Sequence, residues 1–172
     1  MVLDGRSIIE KKFVQLGDSE LLNVEEQVQP NGVDLRLNKI YSVQGQIQVP
    51  HKGKVKHDLN VQEVRPKENW YQLKPAAGVL FYIDFVEEVN VPAGWCATLM
   101  TRSSLVRSGV DVMSGLWDSG FTGTLGACLR LQTAVDFDWG ARICLILFHD
   151  AKFNGQLYDG RYQGTNSTTA MQ

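Results

Sequence analysis

Over GVDLRL (32–37) apolar residues fall at every second position, with Val33, Leu35 and Leu37 alternating with polar neighbours. A period of two belongs to a strand, whose side chains alternate between faces, and it predicts a half-buried strand here. VLFYIDFVEEVNV (79–91) is aromatic and β-branched and stops at Pro92, a residue that cannot donate to a ladder. WCATLMT (95–101) and TLGACLRLQ (124–132) continue the theme, and ARICLILF (141–148) is a nearly unbroken apolar run that reads as a central strand. The turns PAG, SGLWDSG and DWG punctuate these segments. Short strands at this spacing, without long helical patterns between them, predict a mainly β domain, a distorted jelly roll or β-barrel. Two segments break the pattern. DGRSIIEKKF (4–13) predicts a short helix capped by Asp4, and RSSLVRSG (102–109) predicts one or two turns, with Ser103 or Ser104 as cap and Gly109 as stop.

The length of 172 residues fits a single domain, 1–172, whose polar, glycine-rich tail from about 151 onward reads as a flexible arm with a frayed end. A formal net charge of −2 carries no single-sign excess, which argues against nucleic acid or an anionic membrane as partner. MVLDGRSIIEKKF has no long apolar run, and no stretch approaches the ~20 apolar residues of a spanning helix. The expectation is a soluble, cytoplasmic protein. Cys96, Cys128 and Cys144 are odd in number and scattered, forming neither a disulfide framework nor a metal-binding pair. His51 and His57 fall in the polar stretch HKGKVKHD, read as a loop, and His149 ends an apolar strand. With no HxE…CxxC arrangement, zinc-dependent base deamination is excluded.

Four stretches carry candidate chemistry. In RSSLVR, Arg102 offers a planar fork of donors and Ser103 and Ser104 offer hydroxyls, a set suited to phosphate oxygens. In QPNGVDLRL, Asp34 lies between apolar residues, where a carboxylate needs a cation or an arginine such as Arg36 or a more distant one. In GLWDSGFTG, Asp118 precedes Ser119 and Gly120, so it serves either an Asx-type turn or a water or sugar hydroxyl, with Phe121 as a flat wall nearby. GARICLILF reads as core, with Arg142 at its start able to face an anion. Taken singly, each stretch reads as ordinary structure.

In this order, the four resemble the motifs of the superfamily that joins trimeric dUTPases with zinc-free dCTP deaminases. QPNGVDLRL is similar to its first motif, TRSSLVRSG to its Arg-Ser-Ser segment, and GLWDSGFTG to its Asp-x-x-aromatic segment at every defining position. GARICLIL is similar to the fourth except that Leu145 replaces a glutamine. LDGRSIIEKKF, LKPAAGVLFYIDFVEEVNVPAGW and RYQG look like the deaminase branch, and the Gly-rich arm of the dUTPases is absent. The stretch between Arg102 and Asp118 is shorter than in the family, and the shortening falls in VDVMSGLW, the base-reading hairpin.

The resemblance implies either of two chemistries. Deamination in the family requires a glutamate ten residues beyond the motif-three aspartate, and here that position is Cys128, with no acid anywhere from 119 to 134. A neutral thiol is a poor proton shuttle near neutral pH. Hydrolysis is the chemistry left: dUTP to dUMP and pyrophosphate, with Mg²⁺, in a homotrimer with shared sites. On this reading Asp118 positions the attacking water and accepts from the 3′-hydroxyl. Phe121 packs on the sugar, while Ser114, Gly115 and Trp117 belong to the sugar- and base-binding hairpin. Arg102, Ser103 and Ser104 hold phosphates, Arg107 reaches a neighbouring subunit's site, and Tyr162 and Gln163 close over the triphosphate. Asp34 helps to hold hydrated magnesium or a structural arginine. A deaminase-like protein acting on another deoxynucleoside triphosphate, and a nucleotide-binding regulator without turnover, are the alternatives.

Overall fold

The computed structural model describes residues 1–17 and 24–164. Helix α1 (Gly5–Glu10) leads into β1 (Val14–Gln15), and α2 (Val24–Gln27) runs straight into β2 (Val28–Gln29). The long strand β3 (Gly32–Gln48) follows, then β4 (Lys56–Glu63), β5 (Trp70–Leu73), β6 (Leu80–Asn90) and β7 (Trp95–Thr101). Helix α3 (Ser103–Arg107) links β7 to β8 (Val110–Met113), and β9 (Thr122–Leu131), β10 (Val135–Asp138) and β11 (Arg142–Asp150) complete the chain. The mainly β expectation holds, and the five expected strands lie where the sequence put them. The described residues hold three short helices rather than one or two, because VEEQ (24–27) also forms a turn of helix.

Nine strands form one antiparallel sheet along the path β7-β11-β3-β6-β9-β8, with β1 on β6 and β2 and β4 on β3, while β5 and β10 pair separately. Strand β3 turns the corner. Its first part pairs with β11, its later part pairs with β6 and β4, and a register shift between Leu37 and Lys39 lets it bend from one wall to the other. A second shift between Asp84 and Glu88 bends β6. The strands do not close into a hydrogen-bonded barrel. A side chain bridges the two ends of the path instead: the Thr101 hydroxyl accepts from Val112 N at 2.8 Å and donates to Asp111 Oδ1 at 2.9 Å.

The core lies between these walls, with Ile8, Leu35, Leu37, Ile40, Ile83, Phe85, Ile143, Ile146 and Phe148 all essentially inaccessible. Phe13 stacks its edges on Trp95 and Phe148 at 5.5 and 5.1 Å, pinning the N-terminal segment to the sheet. Asp4 caps α1 as expected, accepting from the Ser7 amide at 3.0 Å and the Ser7 hydroxyl at 2.6 Å. The start of α3 differs from expectation. Its cap residue is Arg102 rather than a serine, and no side chain caps it, because a guanidinium has no acceptor for the first-turn amides; it turns back toward β3 and β11 instead. Gly109 stops the helix in a left-handed conformation, φ +77°.

GVDLRL is buried on both faces rather than one. Asp34 and Arg36 are each 3% exposed, which burial permits because both charges are answered. The Arg36 Nε lies 2.6 Å from Glu87 Oε1, and the Arg36 amide donates to the other oxygen of Glu87. Gln27 Nε2 also donates to Glu87. HKGKVKHD is not all loop, since His57 belongs to β4. No helix among the described residues is long and apolar enough to cross a membrane.

Candidate active site

The turn between β8 and β9 is held by the backbone at several points. Trp117 exchanges two backbone hydrogen bonds with Ala97 of β7, at 2.9 and 3.0 Å. Ser119 Oγ donates to Trp95 O at 2.6 Å, and the Gly120 amide donates to Val91 O at 2.6 Å. The Phe121 amide donates to the Asp118 carbonyl at 3.2 Å, so the turn is closed by main chain and not by the aspartate side chain. Among the described residues no hydrogen bond or ion pair reaches the Asp118 carboxylate, which is exposed. The Asx-turn role is therefore unfilled, and the acid stands on a rigid support with its oxygens open.

Gly120 is needed here for two reasons. Its φ of +94° disfavours other residues, and a Cβ would press on Leu157 and the Tyr158 amide. That close approach belongs to the tail. The Tyr158 amide donates to Ser119 O at 2.7 Å, and the Tyr158 ring packs edge-on against Phe121 with centroids 5.8 Å apart. Gln163 donates to Gly120 O at 2.8 Å and accepts from the Thr122 amide at 3.2 Å. Residues 158–164 of the tail are thus docked on the turn; residues 165–172, the end expected to fray, lie outside the described residues.

Docking of turn, tail and sheet encloses a cavity of about 470 Å³. The turn contributes Gly115, Leu116, Trp117 and Asp118, and the strand beyond it Phe121, Thr124, Gly126 and Cys128. Leu80 and Tyr82 of β6, Val43 and Ile47 of β3, and His57 and Leu59 of β4 form the facing wall, with Tyr158 and Tyr162 from the tail. Among the described residues Asp118 is the only carboxylate lining the cavity. Burial pushes the Cys128 thiol up from its ordinary pKa, so the position ten residues beyond Asp118 holds a neutral thiol at neutral pH. Burial likewise raises the Tyr82 phenol well above its ordinary range. Asp84 continues the Tyr82 face of β6 without lining the cavity; burial raises it to about 6, opposed by a hydrogen bond from the Tyr41 hydroxyl at 3.3 Å.

The other expected residues assemble elsewhere. Asp34 Oδ2 lies 3.4 Å from Arg102 Nε and 3.5 Å from Arg142 Nη1, with Gln29 Nε2 at 3.4 Å. Arg142 also meets Glu26 through its carboxylate at 3.5 Å and its backbone carbonyl, and Arg102 Nη1 donates to Arg142 O at 3.0 Å. Of the two outcomes left open for Asp34, the geometry supplies distant arginines, whereas Arg36 pairs with Glu87. Burial raises the Asp34 pKa, and the two guanidiniums pull it back. Ser103, Ser104 and Arg107 are exposed on α3. Arg102, Ser103, Ser104 and Arg107 do not line the cavity of their own chain, and Ser114 and Gln163 flank it without lining it. Among the described residues no group of three or more His, Cys, Asp or Glu side chains could hold a metal.

A family model described as dCTP deaminase-like matches residues 3–151. The chain belongs to that family. Among its relatives, a probable deoxyuridine 5′-triphosphate nucleotidohydrolase of Methanothermobacter thermautotrophicus is 31% identical over 141 residues, covering 81% of this chain and 89% of the relative. The protein of the same name from Methanosarcina acetivorans is 29% identical over 155 residues, covering 85% and 86%. The 2′-deoxycytidine 5′-triphosphate deaminase from Agrobacterium tumefaciens superposes with a TM-score of 0.64 at 21% identity over 87% of this chain, and this chain spans 48% of that protein's length. The likeness to the deaminase is one of fold.

Within this dCTP deaminase-like frame, Tyr82, Thr124, Gly126, Tyr158 and the β4 pair His57 and Leu59 line the cavity without having been expected from sequence. Alternation along LFYIDF gave a usable signal, since Leu80, Tyr82 and Asp84 share a face opposite the core residue Ile83. Nothing local in KHDLN points to the cavity, because that contact depends on how the β3–β4 hairpin folds over.

Proposed function

We propose that this chain is a dUTP diphosphatase that cleaves dUTP to dUMP and pyrophosphate. The carrying observation is an open, unpaired Asp118 carboxylate on a backbone-braced turn, in a cavity where a neutral Cys128 stands at the deaminase glutamate position. Names borne by relatives that share most of the chain's length support the same activity.

In this reading Asp118 accepts a proton from the attacking water and orients it toward the α-phosphorus, and it accepts a hydrogen bond from the 3′-hydroxyl. Phe121, fixed by Tyr158, packs on the deoxyribose and leaves no room for a 2′-hydroxyl. Trp117 and Gly115, with Ser114 beside them, take the sugar and base side. Tyr162 covers the nucleotide, and Gln163 holds the tail to the turn. Mg²⁺ would be held mainly by the substrate's phosphates and water, and would supply neutralisation of phosphate charge. Among the described residues one open carboxylate lines the cavity and no carboxylate cage forms, which suits that cation, and Asp34 would meet it only through water, beside its two arginines. Arg102, Ser103, Ser104 and Arg107 lie off their own chain's cavity, and in the homotrimer that the family resemblance implies they would meet the phosphates at a neighbouring copy's site. Pyrophosphate release from a panel of deoxynucleoside triphosphates with Mg²⁺ tests the assignment. Preferential turnover of dUTP is expected, and equal rates on dCTP and dUTP would overturn the uracil choice.

A further inference from the structure

Tyr82 and Gly126 are matched in a way that the fold does not require. Gly126 sits in the middle of β9, opposite Asp84 of β6, and its backbone is outside the left-handed region, so any residue could adopt it. What a side chain there lacks is space, because a Cβ would overlap the hydroxyl and ring of Tyr82. The tyrosine therefore reaches from β6 across the face of β9, and it does so inside the cavity, where both residues form part of the wall. Its cross-strand partner is Cys128. Phe121 lines the cavity just ahead of β9, three residues after Asp118, whereas Gly126 and Cys128 line it farther along that strand. A nucleotide with its sugar on Phe121 and its phosphates near Asp118 points its base toward Tyr82.

We propose that Tyr82 is a specificity-determining residue of this site, its phenol laid over Gly126 to read the edge of a pyrimidine base. This rests on the dUTP hydrolase reading and deepens it. Burial keeps the phenol protonated at neutral pH, so it retains a hydrogen-bond donor. Uracil presents a carbonyl oxygen at position 4, which accepts from that donor, whereas cytosine presents an amino group, which meets the weaker, accepting side of a phenol. Among the described residues no carboxylate lines this end of the cavity wall, so the acceptor that an amino group would prefer is missing there. Gly126 makes the arrangement possible by leaving the ring a flat seat.

Calorimetric titration of the full chain with the non-hydrolysable α,β-imido analogues of dUTP and dCTP tests this without relying on turnover. Tyr82→Phe removes only the hydroxyl and is expected to weaken the dUTP analogue about three- to tenfold, the range of one lost hydrogen bond. The dCTP analogue should weaken less, so that the preference narrows. Gly126→Ala displaces the ring and is expected to weaken the dUTP analogue more than Tyr82→Phe does. The double change Tyr82→Leu with Gly126→Ala should recover thermal stability lost by Gly126→Ala alone but not the base preference. Unchanged affinities and an unchanged preference in Tyr82→Phe overturn the proposal, even if Gly126→Ala fails to fold. Absence of pyrophosphate release by the unaltered protein would instead count against the hydrolase reading, and the analogue titrations would still decide the role of Tyr82.

Discussion

Asp34 and Asp118 are two aspartates in one β domain, each next to apolar neighbours in sequence, and the structure treats them in opposite ways. Asp34 is buried on β3 and faced by Arg102 and Arg142 at 3.4 and 3.5 Å. Asp118 is exposed at a turn held by backbone, by Ser119 and by Gln163, and among the described residues no partner reaches its carboxylate. The first acid orders its surroundings: it draws the guanidiniums of Arg102, just ahead of α3, and Arg142, at the start of β11, onto one carboxylate oxygen. The second is itself ordered by its surroundings. An acid whose charge is already answered has little left to offer a substrate, whereas one held open on a braced turn can accept a proton or a hydroxyl. Partner geometry, rather than the neighbouring residues in the chain, separates framework from chemistry here.

The sharpest way to break this contrast is Asp118→Asn. Steady-state pyrophosphate release should fall on the order of 10²–10⁴-fold, the usual contribution of a positioned general base. Its thermal midpoint should hardly move, since an exposed side chain with no partner carries little stability. Glu87→Ala probes the opposite pole, because it leaves Arg36 charged and buried. Stability should drop by about 3–5 kcal/mol, read by urea unfolding. A loss well below that would mean the buried ion network tolerates rearrangement.

Much of this contrast was legible in the sequence, but not all of it. Period-two alternation in GVDLRL placed a strand, yet it also implied a solvent face for Asp34 and Arg36 that does not exist. Long-range partners, Glu87 for Arg36 and Arg142 for Asp34, bury that face, and no local pattern reveals a partner 51 or 108 positions away. The motif segment around Asp118 was readable because turn, aromatic and glycine are contiguous. The cavity's other wall was not, because His57 and Leu59 reach it only through the bend of β3 and the fold of the β3–β4 hairpin. In the tail, four hydrogen bonds tie Tyr158, Gln163 and Gly164 to residues 119–122, contacts that its polar composition does not reveal.

Asp84 offers a subtler comparison, a third carboxylate lacking the two arginines of Asp34. Its folded pKa, raised by burial to about 6, exceeds the ordinary carboxylate value. The sign follows: the folded state binds the proton more tightly, so this group favours folding at low pH and that contribution is lost as pH rises through about 6. Asp84→Asn should therefore raise the thermal midpoint near pH 7.5, with the gain shrinking as pH falls toward 5. A constant difference across that range would show that Asp84 does not titrate there. The smallest effect is expected for Cys128→Ser, which exchanges one neutral group for another; dUTP turnover should stay within about twofold if no proton passes through that position.

The account turns on water attacking the α-phosphorus under the direction of Asp118. Turnover of dUTP in ¹⁸O-labelled water, followed by mass spectrometry of both products, measures this directly. The expected result is label in the phosphate of dUMP and none in pyrophosphate. Label in pyrophosphate, or dUTP left intact, would contradict it.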